Sequence, residues 1–138
     1  MPTITAKEYL ASQKKVRKPR LHPESDLQAE CFNWFRYNFP QFRMLFFSVP
    51  NGSKRTKAQS AILKKEGSVS GVSDSILLIP SKHYNGLCLE TKTEKGIQSD
   101  NQKAFQLAVE SQGYCYKVYR SLDEFRAIIH RYLNHLEV

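Results

Sequence analysis

Two carboxylates and an amine are spaced for the hydrolysis of a phosphodiester. Asp74 stands sixteen residues before Glu90, and Lys92 follows two later in the run Gly86-Leu87-Cys88-Leu89-Glu90-Thr91-Lys92. That run alternates like a β-strand, so Glu90 and Lys92 leave the same face roughly 7 Å apart. Asp74 heads a second run, Ser75-Ile76-Leu77-Leu78-Ile79-Pro80, whose apolar residues read as a buried neighbouring strand. The acids then meet at one edge of a sheet. Carboxylate-bound Mg²⁺ provides a Lewis acid, a water activated near neutral pH and relief of charge on the leaving oxygen. A lysine beside the ion orients or deprotonates the water, because its pKa moves with burial and neighbouring charge. The bland account of the same residues is an ordinary ion pair at a strand end, with Asp74 merely opening its strand. So short a pattern does not choose between the two.

The elements around these residues form a basic leader, 1–24, and an αβ body, 25–138. In the leader, Thr5 and Glu8 match a helix capping box. Lys14, Lys15, Arg17, Lys18 and Arg20 then crowd together, interrupted by Pro19 and Pro23, which reads as a mobile arm touching nucleic-acid phosphate or as a solubilising tail. The body opens with Ser25 as N-cap of a helix to about Asn38, striped by Leu27, Cys31, Trp34 and Phe35 and ended by Phe39-Pro40. At ~100° per residue, Glu30 falls at the border of that stripe. It either leans out to solvent or supplies a third carboxylate to the metal.

Phe42 to Val49 reads as the first strand. Pro50-Asn51-Gly52-Ser53 is a turn by composition, and Lys54-Arg55-Thr56-Lys57 opens a helix to about Glu66. Three cations there, Lys54, Arg55 and Lys57, oppose the helix dipole and call for an anion such as nucleic-acid phosphate, unless they form a solvated face. Gly67 to Ser73 is a loop punctuated by glycines free to take positive φ, and it delivers the chain to Asp74. After the Glu90 strand, Ser99 and Gln102 form a second capping box for a helix to about Ser111, and Gln102 either serves that cap or reaches the acids. Tyr114 to Tyr119 reads as a last strand, and Ser121 with Glu124 caps a final helix to about His135.

Composition narrows the partners. At 138 residues the chain suits one domain. With 21 Lys+Arg against 13 Asp+Glu, the formal charge of +8 is the signature of a phosphate-rich or anionic partner. No apolar run approaches the ~20 residues of a membrane span and no signal core is present, so a soluble cytoplasmic protein is expected. Cys31, Cys88 and Cys115 are widely spaced and odd in number, as expected of reduced buried thiols. His22, His83, His130 and His135 have no zinc-ligand spacing, and neither a phosphate loop for a nucleotide cofactor nor a serine-nucleophile elbow is present.

Taken in order, Val49-Pro50-Asn51-Gly52, Gly71-Val72-Ser73-Asp74, Leu89-Glu90-Thr91-Lys92, Lys95-Gly96 and Ser99-Asp100-Asn101-Gln102-Lys103-Ala104-Phe105 resemble the PD-(D/E)XK nuclease superfamily. Within it they are most similar to the virus-type replication and repair nuclease (VRR-NUC) domain. The likeness runs from about residue 25 to 126 and implies a restriction-endonuclease-like α/β core, a central mixed sheet of about four strands flanked by helices. It implies that Asp74, Glu90 and Glu30 hold Mg²⁺ or Mn²⁺, that the Thr91 carbonyl adds a ligand, and that Lys92 sits near the attacking water with Gln102 beside the site. Ser73 stands where the family usually has proline, which loosens the loop but removes no ligand.

The resemblance further implies a structure-selective endonuclease for branched DNA, with four-way junctions cut by a symmetric homodimer. The alternatives are a site-specific restriction or homing endonuclease and a nucleic-acid-binding module without catalysis. In the last helix, Phe125, Ile128, Ile129, Tyr132 and Leu133 suit either a dimer face or packing on the sheet.

Overall fold

A computed structural model describes residues 22–50 and 55–138. Residues 1–21 of the leader, with the expected capping box and the cluster of Lys14, Lys15, Arg17, Lys18 and Arg20, lie outside the described residues, as does Lys54, while Pro23 and Glu24 belong to the first helix. The first element is helix α1, Pro23–Asn38. Pro23 occupies its first turn, where a fixed φ is already helical and the missing N–H leaves nothing unsatisfied. The N-cap is therefore His22, without a side-chain cap, and the expected cap Ser25 lies inside the helix. Phe39 N–H closes the helix on the Phe35 carbonyl at 2.7 Å, and Pro40 stops its continuation.

The strand expected over 42–49 is much shorter than the sequence pattern suggests. Pro40–Leu45 is a 3-10 helix, and only Phe46–Ser48 extends as β1. Pro40 starts the tight turn, and Phe42 N–H bonds back to the Phe39 carbonyl at 3.0 Å. Helix α2, Lys57–Lys65, starts at Thr56 rather than at Lys54. The Thr56 hydroxyl accepts from Gln59 N–H at 3.1 Å, and Gln59 Oε1 accepts from Thr56 N–H at 3.0 Å, a capping box that fixes the start. Its far end closes with Gly67 at φ 101°, where Gly67 N–H reaches Lys64 O and Ser68 N–H reaches Leu63 O.

Strands β2 (Ser75–Leu77), β3 (Leu87–Thr91) and β4 (Cys115–Tyr119) complete a sheet of order β1-β2-β3-β4. The first two pairings are antiparallel and β3–β4 is parallel. The crossover between β3 and β4 carries helix α3, Asp100–Ser111, which starts at the expected Ser99–Gln102 capping box. Helix α4, Leu122–Leu133, follows β4 and starts at Ser121 as expected. The chain is thus an α/β fold with a four-stranded mixed sheet flanked by helices.

Register divides the sheet into two faces. Phe46, Leu77, Leu87 and Cys115 form one row, and Thr91 with Tyr119 extends that face. It packs on α1 and α4, where Cys31, Phe35, Phe125, Ile129 and Tyr132 are wholly buried. Trp34 and Tyr119 set rings edge-on or tilted against Phe125 at 5.9 and 5.1 Å. Helix α4 therefore spends its apolar stripe on the sheet, with Ile128 and Leu133 packed against the same core. Of the two accounts of that stripe, packing is the one realised.

The opposite face carries Cys88, Tyr116, Glu90 and Lys92 by alternation. Helix α3 covers part of it, with Phe105 edge-on to Tyr116 at 6.2 Å. The three cysteines are free and buried, as expected. Burial pushes the Cys31 thiol up to about 12 and the Cys115 thiol to about 11, so both stay protonated. Among the described residues, no helix is long and apolar enough to cross a membrane.

Candidate active site at the end of the third strand

Glu90 is 1% exposed, an expensive place for a carboxylate unless it is matched to partners. Strand alternation aims it away from the main core, toward α3. Gln102 Nε2 donates to Glu90 Oε1 at 2.9 Å, and Tyr116 Oη donates to Glu90 Oε2 at 3.2 Å. Lys92 Nζ, its side chain 11% exposed, lies 3.8 Å from Glu90 Oε1. The spacing Glu90-x-Lys92 thus does what alternation predicts and places amine and acid together.

Asp74 enters from the neighbouring chain end. Its Oδ2 accepts from Thr91 N–H at 2.8 Å, and its carbonyl accepts from Val49 N–H at 2.7 Å. The residue is held between β1 and the end of β3. Burial pushes the Glu90 carboxyl up to about 8, the charge of Asp74 adds to the rise, and Lys92 and Tyr116 offset part of it. A proton on Glu90 relieves the repulsion between the two acids, and a divalent cation shared between them would take its place. Oxygen donors of this kind match Mg²⁺, which keeps several waters and takes one or two carboxylates together with substrate phosphate oxygens. The donor set therefore fits the expected metal.

The loop before Asp74 is shaped by contact as well as by φ. Gly71 has φ 86°, and a Cβ there would lie 2.4 Å from the Asn101 backbone, so the loop seats directly on the start of α3. Asn101 Nδ2 also donates to Ser70 Oγ at 3.0 Å. Ser73 is wholly buried and its hydroxyl donates to the Ser75 carbonyl at 3.1 Å. The buried Ser73 hydroxyl thus ties the end of the loop to the start of the strand that follows Asp74.

Several expected site residues converge and others do not. Asp74, Glu90, Lys92 and Gln102 form one cluster, and Thr91 N–H tethers Asp74. The Thr91 hydroxyl points the other way, to Tyr119 Oη at 2.6 Å, in the main core. Glu30 is exposed on α1, the helix that packs on the face opposite Glu90, and no hydrogen bond or ion pair joins it to the cluster. Among the described residues, no group of three or more His, Cys, Asp or Glu side chains is gathered for a metal, so the expected three-carboxylate grouping is not formed. The helix stripe that buries Cys31 and Phe35 turns Glu30 outward instead.

Arg55 Nη2 donates to the Pro50 carbonyl at 2.9 Å, bracing the two ends of the chain around residues 51–54. Lys57 is exposed at the first position of α2. Among the histidines, His135 Nδ1 accepts from Lys82 N–H at 3.1 Å and His130 lies edge-on to Trp34 at 5.5 Å.

Two contributors escape a reading of the sequence. Tyr116 meets Glu90 only through the parallel register that sets Cys88 opposite Tyr116. Arg120 folds its guanidinium onto the loop after Lys92, donating to the Thr93 and Gly96 carbonyls at 2.6 and 2.7 Å. A strand alternation with Tyr116 and Val118 on one face was the available signal for the first, and the second had none.

A cleft of 1130 Å³ opens between α1 and β1 and ends at Asp74 and Thr93. Phe32, Met44 and Phe47 give it apolar walls, and Arg36 and Arg43 stand on its sides. The Arg36 guanidinium is 5.4 Å from the centre of the Phe32 ring, which restrains it over the cleft.

No family model and no curated protein matches the sequence. Among solved structures, a VRR_NUC domain protein superimposes with a TM-score of 0.71 at 22% identity, covering 83% of this chain and 90% of that one. The fold of this chain is accordingly that of the VRR_NUC domain protein, over nearly the whole of both.

Proposed function

We propose that the chain is a metal-dependent nuclease of the VRR-NUC type, hydrolysing phosphodiester bonds in DNA at the Asp74–Glu90–Lys92 cluster. The observation that carries this reading is a buried Glu90 beside Asp74, its pKa lifted to about 8, with an amine 3.8 Å away. A structural ion pair has no use for the second acid, whereas a divalent cation does. The shared fold supports the same assignment.

In this reading Asp74 and Glu90 hold Mg²⁺ or Mn²⁺, with the Thr91 carbonyl as a further oxygen. A divalent cation held there would polarise the scissile phosphate and lower the pKa of a water beside it. Gln102 and Tyr116 each take one oxygen of Glu90 and fix the plane of its carboxylate. Lys92 orients the attacking water or accepts its proton, a task that suits an amine shielded from solvent. Arg120 holds the 93–96 loop in place beside it. The cleft between α1 and β1 leads the strand to Asp74, and the cations Arg55 and Lys57, with Lys54 and the arm at Lys14, Lys15, Arg17, Lys18 and Arg20, contact phosphate.

Branched DNA is the substrate class we favour. The resemblance of the site motifs to nucleases of branched DNA supports this, and the cations offered around the cleft contact phosphate rather than base edges. A symmetric homodimer would cut opposing strands of a four-way junction, with its interface away from the face that α4 buries. Junction, flap, splayed and linear DNA incubated with protein and Mg²⁺ at matched salt test this. Preferential cutting of the junction is expected. No cutting of any DNA with Mg²⁺ or Mn²⁺ sinks the nuclease reading, and equal cutting of all four sinks the branched substrate alone.

A further inference from the structure

A second, smaller concavity of 190 Å³ lies between α2 and the loop that leads to Asp74. Arg55 and Lys64 supply two cations to its lining, and Ser60, Ser68 and Ser70 supply three hydroxyls. Among the described residues no carboxylate lines it; the rest is apolar side chain and the Gly71 backbone. Two positive donors and three neutral ones, without a competing acid, are the complement of a tetrahedral oxyanion.

The local structure explains why the pocket is there. Helix α2 buries none of its residues, so it is not held as a core element. It is fixed at its start by the Thr56 capping box. At its end, the bonds from Gly67 N–H to Lys64 O and from Ser68 N–H to Leu63 O fix the turn, and the cations Lys64 and Lys65 in the last turn offset the negative end of the helix dipole. Arg55 is braced against Pro50 O at 2.9 Å, and Ser70 against Asn101. Both walls are thus set before a ligand arrives, which reduces the ordering cost of binding.

We propose that this pocket seats one backbone phosphate of the nucleic-acid strand being cut, and so sets the register of the scissile bond. The proposal rests on the nuclease reading above. Gly71, on the pocket wall, precedes Asp74 by three residues, a span of at most about 11 Å. Side-chain reach at each end adds to that span, so the held phosphate is a few nucleotides from the bond that is broken. Lys64 is the pocket's own cation. Lys65, adjacent in the same last turn of α2, does not line it.

That pair makes the test. Junction DNA affinity is measured in EDTA against salt for the wild type, Lys64→Gln and Lys65→Gln, which lose equal charge from the same helix turn. Lys64→Gln is expected to raise Kd roughly three- to tenfold and flatten the salt slope by about 0.9, with Lys65→Gln well below that. Junctions carrying a single methylphosphonate are then scanned. One position should weaken the wild type and leave Lys64→Gln unaffected, because the phosphate and its lysine are already uncoupled.

Equal losses in both variants, or no position coupled to Lys64, overturn the pocket while cleavage by the wild type keeps the nuclease reading. A thermal shift with inorganic phosphate that Lys64→Gln abolishes, without any effect of Lys64→Gln on DNA affinity, overturns it in favour of a free anion. A wild type that neither binds nor cuts DNA overturns both.

Discussion

Gln102 divides one amide between two tasks. Its Oε1 accepts from Ser99 N–H at 2.8 Å and caps α3, while its Nε2 donates to Glu90 Oε1 at 2.9 Å. The capping box, which could have been the whole explanation of this residue, is also what aims it. With Oε1 committed to the cap, the amide nitrogen can only face Glu90.

Two substitutions separate those tasks. Gln102→Ala removes both and is expected to cost about 1 kcal/mol of stability as well as turnover. Gln102→Glu keeps a capping group but replaces the donor with an acid against Glu90, so turnover falls with a smaller loss of stability near pH 5 than near pH 8. Thermal melts at the two pH values and single-turnover assays check this. Full turnover in Gln102→Ala would reduce the residue to a cap.

Stability of the metal-free protein should depend on pH through Glu90. Its folded pKa of about 8 is above the ordinary 4.5, so the folded state binds the proton more tightly than the unfolded chain. Its favourable contribution is complete below about 4.5 and is lost as pH rises through about 8. Melting temperature should therefore fall across that window more steeply in the wild type than in Glu90→Gln, and saturating Mg²⁺ should restore most at the alkaline end. Parallel pH profiles for wild type and variant would show that Glu90 ionises as an ordinary surface acid.

The elements that a short stretch determines were legible in the sequence. Alternation alone paired Glu90 with Lys92, and local capping signals placed α3 and α4 to within a residue at their starts. Misreadings arose where neighbouring signals compete. Apolar residues from Phe42 to Leu45 fit a strand or a 3-10 turn equally, and Pro40 decides for the turn. Ser25 is a good cap, but Pro23 starts the helix earlier. Glu30 sits where a helix stripe ends, and its direction depends on which sheet face α1 covers. Tyr116 and Arg120 were not legible, because their partners lie 26 and 27 residues away and are set by strand register.

In the proposed mechanism Lys92 acts on the attacking water rather than on the ion. Lys92→Ala should lose most turnover yet retain divalent-metal affinity by calorimetry at pH 9. Since Lys92 pulls the Glu90 pKa down, its removal shifts metal binding to higher pH. Lost affinity at every pH would mean that the amine holds the acidic pair together and has no separate part in the chemistry.

Two glycines of one segment should differ sharply. Both have positive φ, but an added Cβ at Gly67 meets nothing within 4 Å, whereas at Gly71 it meets Asn101 backbone at 2.4 Å. Gly67→Ala is expected to cost about 1 to 2 kcal/mol from backbone strain alone. Gly71→Ala should cost more and displace the loop that carries Asp74, lowering turnover even where the protein is folded. Urea unfolding compares them, and equal losses would show that the contact with Asn101 relaxes without consequence.

The most direct measurement is cleavage and binding of the same junction DNA by the wild type and Glu90→Gln, with and without Mg²⁺. Glutamine keeps the shape of the buried side chain and removes its charge. The account predicts Mg²⁺-dependent cutting by the wild type, none by Glu90→Gln, near-equal DNA affinity in EDTA and a variant that melts no lower at pH 8. A Glu90→Gln protein that retains even a tenth of wild-type turnover would contradict the assignment of this acidic pair as the catalytic centre.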